Sequence, residues 1–329
     1  MKFGPVPTGD ALGCVLAHSI ALPEGRLRKG VVLGADDIAA LRAAGIGKVI
    51  VAALQPTDVG ENAAADALAD ALLEGATGLR RSAAFTGRVN LIARAPGLAL
   101  LDTDALHAVN LIDPMITVAT VPAHHQLREG DMVATIKIIS YAVERDALAR
   151  AVSAAQGAIR HAAPTLERAT LIITEIPGGA GEKGRAAVED RLTALGVPLD
   201  AVVVVPHLQD ALCAAILRAD TPLVLVLTGS ATSDIADVAP AAVVQAGGWI
   251  ERFGMPVDPG NLLFLGTLGE TLVIGLPGCA RSPALNGADW VLGRVVCGVP
   301  VSASDIAAMG VGGLLKEIPS RPQPRRPKG

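Results

Sequence analysis

Apolar positions along the chain fall into two textures. From residue 166 onward, short unbroken apolar runs at 169–174, 201–205 and 222–227 read as buried strands, separated by stretches at 185–195 and 208–219 with helical spacing. That alternation predicts parallel strands with helices on both faces, a mostly parallel three-layer α/β sheet of the doubly wound class. Ligands of such sheets bind beyond the carboxyl ends of the strands, so the loops after Thr174, Val205 and Leu227 are where function is expected.

The front of the chain has a different rhythm. Residues 1–55 predict a small unit in which a helix at 36–44 stops at Gly45 and a strand follows at 48–53. The Ala-rich stretch 61–73 predicts a helix by propensity. Between 83 and 143, apolar runs at 89–92, 98–101, 116–121 and 132–139 alternate with Pro-Gly, Asp-Pro and Glu-Gly turn signals, predicting a β-rich segment with one helix at 103–110. A further helix is expected over 144–161, ended by Pro164. The expected plan is a smaller mixed, β-rich α+β domain over 1–165, the three-layer domain over 166–310, and a disordered Pro- and Arg-rich tail over 311–329.

Composition narrows the classes of function. The 329 residues are 51% hydrophobic and 18% charged, with a mean hydropathy of +0.46, enough to bury large cores. No apolar run approaches the roughly 18 residues of a membrane span, so no membrane partner is expected. With 28 basic against 32 acidic side chains, and only Phe 4, Trp 2 and Tyr 1, a nucleic-acid partner is excluded: there is neither a basic footprint nor a row of rings for bases to stack on. The cysteines Cys14, Cys213, Cys279 and Cys297 are scattered without a CxxC pair, which argues against a zinc or iron–sulfur site and against a disulfide scaffold. The opening MKFGPVPTGD has no secretion-signal pattern, and a reducing cytoplasm is the expected compartment.

The chemistry concentrates in 225–240, LVLTGSATSDIADVAP. A buried strand opens here into a small, hydroxyl-rich loop carrying Asp234 and Asp237, and the loop feeds a helix with Pro240 near its first turn. Thr228, Gly229, Ser230, Thr232 and Ser233 would let backbone N–H groups approach an anionic oxygen, and the helix start adds partial positive charge at the same place. The same residues also fit an ordinary strand-to-helix turn capped by Asp or Ser. The Gly-rich stretch 178–184 follows a strand but lacks the Gly-Lys-Ser/Thr ending of a phosphate-binding P-loop. The His124-His125 pair reads as a solvated turn, since neighbours on a strand face opposite ways and cannot easily share a metal.

The loop resembles the signature of the molybdopterin-binding domain shared by the MogA, MoeA and CinA families, a Thr-Gly-Gly stretch followed by Asp and Pro in fixed register. Thr228, Gly229, Asp237 and Pro240 fall on matching positions, and Ser230 replaces the second Gly. Downstream, GLPGCARSP at 275–283 is similar to the Gly-Leu-Pro-Gly-Asn-Pro-x-Ser motif of the MoeA type, and VDPGN at 257–261 resembles that family's Lys-Pro-Gly-Lys turn. The front half is looser. GCVLAHSI at 13–20, with Lys29-Gly30 and 36–46, resembles the opening of MoeA proteins, and 89–92 and 137–139 are like MoeA-like molybdopterin-binding proteins of bacteria. The stretch after the last motif is too short for the C-terminal β-barrel of complete MoeA enzymes.

This resemblance implies a phosphorylated pterin dithiolene, molybdopterin or its nucleotide form, held by Thr228, Gly229, Ser230, Thr232, Ser233, Asp234, Pro277, Gly278 and Ser282, with Lys183 as a further phosphate contact. It also implies Asp237 as the catalytic acid and, with Glu175, as a ligand of Mg²⁺, a homo-oligomer, and partners among molybdenum cofactor biosynthesis proteins or a molybdoenzyme client. Three polar positions depart from the family. Thr174-Glu175-Ile176-Pro177 stands where the family has Thr-Gly-Asp-Glu, Pro206-His207 where it offers an Asp, and Asp258 where it has Lys. Backbone N–H groups and small hydroxyls survive such changes, whereas metal-assisted transfer needs carboxylates. The sequence therefore favours a molybdopterin-binding protein acting in cofactor assembly, as carrier or processing step. An active Mg-dependent molybdenumtransferase or adenylyl-handling enzyme is the alternative, and a scaffold or chaperone for a molybdenum enzyme is a third.

Overall fold

The structure is a computed structural model that describes residues 1–315. The chain divides into two compact units, one of residues 1–95 and 99–161, the other of 96–98 and 162 onward. The tail expected over 311–329 lies, from residue 316, outside the described residues. Residues 311–315 run beside Asp258, with a bridge at Leu314 and a Leu315 N–H to Asp258 carbonyl bond of 2.9 Å.

The first unit holds two cores. Strands Lys2–Pro7, Lys48–Ala53 and Val15–Leu16 form an antiparallel sheet that packs with helix Ala35–Ala43 around Leu16, Leu33, Leu41 and Val51. A four-stranded antiparallel sheet of Ile116–Thr120, Met132–Ile138, Arg88–Ala93 and Leu79–Arg81 is covered by helices Glu61–Leu72, Thr103–Ile112 and Arg145–Ala155. Period two places Val89, Leu91, Ile136 and Ile138 in the core and Asn90, Thr135 and Lys137 on the other face. The helix expected over 144–161 is corrected: it ends at Ala155, Gly157 turns at φ +64°, and Ile159–Ala162 is a strand.

The second unit is built on one six-stranded sheet, labelled here in chain order: β1 Ala169–Glu175, β2 Leu199–Pro206, β3 Leu223–Leu227, β4 Trp249–Phe253, β5 Phe264–Leu268 and β6 Thr271–Leu276. The spatial order is β2-β1-β3-β6-β5-β4. The first four run parallel, whereas β5 pairs antiparallel with both β6 and β4. The helices are α1 Arg185–Thr193, α2 Gln209–Arg218, α3 Val238–Gln245, α4 Gly287–Val296 and α5 Ala303–Ala308.

Alternation along the central strands explains the layers. Leu171, Ile173, Leu223, Leu225, Leu227, Ile274 and Leu276 join one buried cluster with α1, α4 and α5. Ile172, Val224, Val226 and Val273 join another with α2 and α3. Because both faces are covered, β3 reads as five consecutive buried apolar residues rather than as an alternating strand.

One tight contact fixes the turn from the parallel to the antiparallel half. Phe264 lies directly across from Gly275, and a Cβ on Gly275 would fall 2.0 Å from the Phe264 ring. Gly275→Ala must displace that fully buried ring, so it should cost about 1–3 kcal/mol, as overpacking does. Urea unfolding should show a lower midpoint with an unchanged m-value; a wild-type midpoint would contradict the contact.

Candidate functional site

From β1 the chain crosses to β2 on one side and then returns to β3 on the other, so the sheet's switch point lies between the carboxyl ends of β1 and β3. At that point the two backbones close on each other. Gly229 N–H donates to the Thr174 hydroxyl at 2.9 Å, and a Cβ at Gly229 would stand 2.7 Å from the Thr174 carbonyl oxygen. Only glycine fits there. The Thr174 hydroxyl is fully buried and also meets His207 Nδ1 at 2.7 Å, so the first residue after β2 joins the same chain of hydrogen bonds. A hydroxyl that accepts from Gly229 can donate its own proton to a neutral imidazole at Nδ1.

The hydroxyl-rich loop is ordered by its own side chains. Thr228 and Thr232 are buried and their hydroxyls lie 3.4 Å apart, whereas Ser230, Ser233 and Asp234 are exposed. Asp237 accepts from Ser233 N–H at 3.0 Å with one carboxylate oxygen and from Val238 N–H at 2.7 Å with the other. Asp234 accepts from Ala236 N–H at 2.8 Å. Both acids thus close turns, and Asp237 is the N-cap of α3. The capping role left open by the sequence is the one the geometry displays for Asp237.

The second motif is joined physically to the first. Arg281 lies in the short 3-10 turn Gly278–Arg281 after β6, and its Nη2 donates to the Thr228 carbonyl at 2.8 Å. Its Nη1 reaches the carbonyls of Gly181 and Lys183 in the Gly-rich loop after β1. Burial pushes the pKa of this guanidinium down from its usual value. Sequence reasoning passed over Arg281, because the family motif leaves its position variable; the signal was a cation inside an otherwise small-residue motif.

Arg191 of α1 holds the rest of that turn. Its Nε donates to Asp289 at 2.6 Å, Nη1 to the carbonyls of Ala187 and Ala280 at 2.9 Å, and Nη2 to those of Ser282 at 2.8 Å and Ala284 at 3.0 Å. All five N–H groups are used. Asp289 in turn accepts from Asn286 N–H at 2.7 Å in the capping box of α4. The third motif meets the same helix start, where Gly287 N–H donates to the Pro259 carbonyl at 2.8 Å. Pro277 is buried under the turn, while Gly278 and Ser282 are exposed.

Of the residues expected to act, those of 228–237 form one loop, Arg281 ties the 275–283 segment to it, and Lys183 and Glu175 flank it with exposed side chains. The resemblance implies Mg²⁺, but the donor set does not build a centre for it. Both oxygens of Asp237 are engaged by backbone N–H groups, and among the described residues no three His, Cys, Asp or Glu side chains gather where they could hold a metal. Cys279 is half-buried in the second motif. Burial pushes its thiol up, against the smaller lowering effect of Arg191.

A family model described as a domain of unknown function, DUF8806, matches residues 5–53. No curated protein matches the sequence. Among solved structures, the chain is similar to the molybdopterin biosynthesis MoeA protein of Pyrococcus horikoshii, with 13% identity, 93% of this chain and 75% of that one covered, and a TM-score of 0.28. It is also similar to the molybdopterin biosynthesis enzyme MoaB of Thermus thermophilus, with 16% identity, 46% and 100% covered, and a TM-score of 0.30. A molybdopterin biosynthesis protein of Mycobacterium abscessus gives 17% identity, 41% and 94% covered, and a TM-score of 0.30. Among the described residues no helix is long and apolar enough to cross a membrane.

The Arg191 and Asp289 side chains are only 9% and 14% exposed, so Arg191→Ala, which strands a buried carboxylate, should destabilise the protein by about 3–5 kcal/mol in urea unfolding. A loss under 1 kcal/mol would show that the pair does not organise the turn. Burial also pushes the Cys297 thiol up to about 11, so at pH 8, three units lower, about one molecule in a thousand carries the thiolate. Iodoacetamide at pH 8 should modify the half-buried Cys279 before the buried Cys14, Cys213 and Cys297, and more slowly than free cysteine, with the rate rising as pH rises. Peptide mass spectrometry would reveal any other order.

Proposed function

We propose that the second unit binds molybdopterin, the phosphorylated pterin dithiolene, at the carboxyl ends of β1 and β3, and that the protein acts in molybdenum cofactor assembly as a carrier or processing component. The observation that carries this reading is the Arg281 to Thr228 hydrogen bond of 2.8 Å. It joins, in space, two motifs that resemble the molybdopterin-binding families and lie about fifty residues apart in sequence.

The chemistry available there is that of recognition. The Ser230 and Ser233 hydroxyls and the backbone N–H groups of 230–232 offer small donors beside the Gly229–Thr174 contact. Lys183 and Arg281 supply full positive charge from the neighbouring loops. The ligand would be handed on to other proteins of cofactor assembly or to a molybdoenzyme, by a homo-oligomer working in a reducing compartment.

The test is calorimetric titration of the purified protein with molybdopterin and with its adenylylated form, with and without Mg²⁺, followed by product analysis. Binding without turnover, independent of Mg²⁺, is expected. Gly229→Val, which thrusts a branched side chain at the Thr174 carbonyl, should weaken binding by at least about tenfold, the equivalent of about 1.4 kcal/mol. Release of AMP that Asp237→Ala abolishes would establish an enzyme instead, and binding of neither form would refute the reading.

A further inference from the structure

Arg281 has more donors than the protein uses. Of its five N–H groups, three are directed at the carbonyls of Gly181, Lys183 and Thr228, which leaves Nε–H and one Nη2–H without a partner among the described residues. All three acceptors are neutral, and no ion pair among the described residues offsets the charge; burial is the one influence that acts on its titration.

Its surroundings sharpen the contrast. The other guanidinium of the region, Arg191, is fully engaged and paired with Asp289. On the Cys279 side of the turn, the acids Asp258 and Asp289 stand against Arg191 in their effect on that thiol, so the charge of Arg191 is answered there. The uncompensated cation therefore stands where the turn meets Thr228 and the Gly-rich loop. Two free N–H groups on adjacent nitrogens of one planar fork match two oxygens of a phosphate, and Arg rather than Lys is suited to that pairing.

We propose that Arg281 is the specificity-determining residue for the ligand's phosphate monoester, receiving two phosphate oxygens on its free Nε–H and Nη2–H. The assignment rests on the molybdopterin-binding reading above and deepens it. It makes the phosphate contact and the tethering of the Gly-rich loop properties of one side chain. Ligands with the monoester are retained and those without it are released.

The experiment compares titrations with molybdopterin and with the same pterin lacking its terminal phosphate, in wild type, Arg281→Lys and Arg281→Gln, at low and high salt, with circular dichroism to verify folding. Wild type should prefer the phosphorylated form by about tenfold to a hundredfold, the range for charge-assisted hydrogen bonds. In Arg281→Gln the preference should fall to near unity, and in Arg281→Lys to an intermediate value that declines more steeply with salt. If the Gln variant does not fold, the Lys variant decides. A preference and salt slope equal to those of wild type would overturn the assignment while leaving pterin binding intact. Binding of neither pterin by wild type would overturn the site reading, and the assignment with it.

Discussion

The site depends on how closely two backbones approach at the carboxyl ends of β1 and β3. Leu223 to Leu227 are buried on both faces, so β3 has no freedom to shift without exposing apolar surface, and its end is delivered at a fixed height beside Thr174. The Gly229 amide can then meet the Thr174 hydroxyl only because nothing projects from its α-carbon. The His207 contact, the placement of Thr228, and through Thr228 the reach of Arg281 all follow from that one approach. A fault in the sheet would therefore appear as a fault in the loop.

Arg191 plays the corresponding part on the other side. A turn rich in Gly and Pro has few side chains of its own with which to hold a shape, and its carbonyls would otherwise turn to water. One guanidinium from α1 collects three of them while pairing with the acid that starts α4. The helix layer and the functional turn are thus tied by a single residue that does not belong to any motif.

Much of this was legible in the sequence where periodicity is strong. The strands Lys48–Ala53 and Leu223–Leu227 and the helix Gln209–Arg218 follow from apolar spacing, and the helix Glu61–Leu72 from Ala-rich propensity, that tertiary context reinforces. The strand Ile159–Ala162 was hidden because IRHA follows an Ala- and Arg-rich helix without a change in composition, and Gly157 alone marked the break. The hairpin strands Ile20–Leu22 and Gly25–Leu27 are too short to show a period. In the site, Thr228, Gly229 and Asp237 could be found because they sit on one continuous loop. Arg281 and Arg191 could not, because each acts through carbonyl oxygens far away in sequence, and carbonyls carry no sequence signature.

The two oxygens of Asp237 are each engaged by a backbone N–H. The loop between β3 and α3 already has its shape before any ligand arrives, so the conformational entropy of ordering it is lost during folding rather than during binding. On the proposed pterin-binding reading, affinity then depends on the few donors left open at its rim. The expected kinetic expression of that reading is an association step without a slow rearrangement, at a rate set by diffusion and charge.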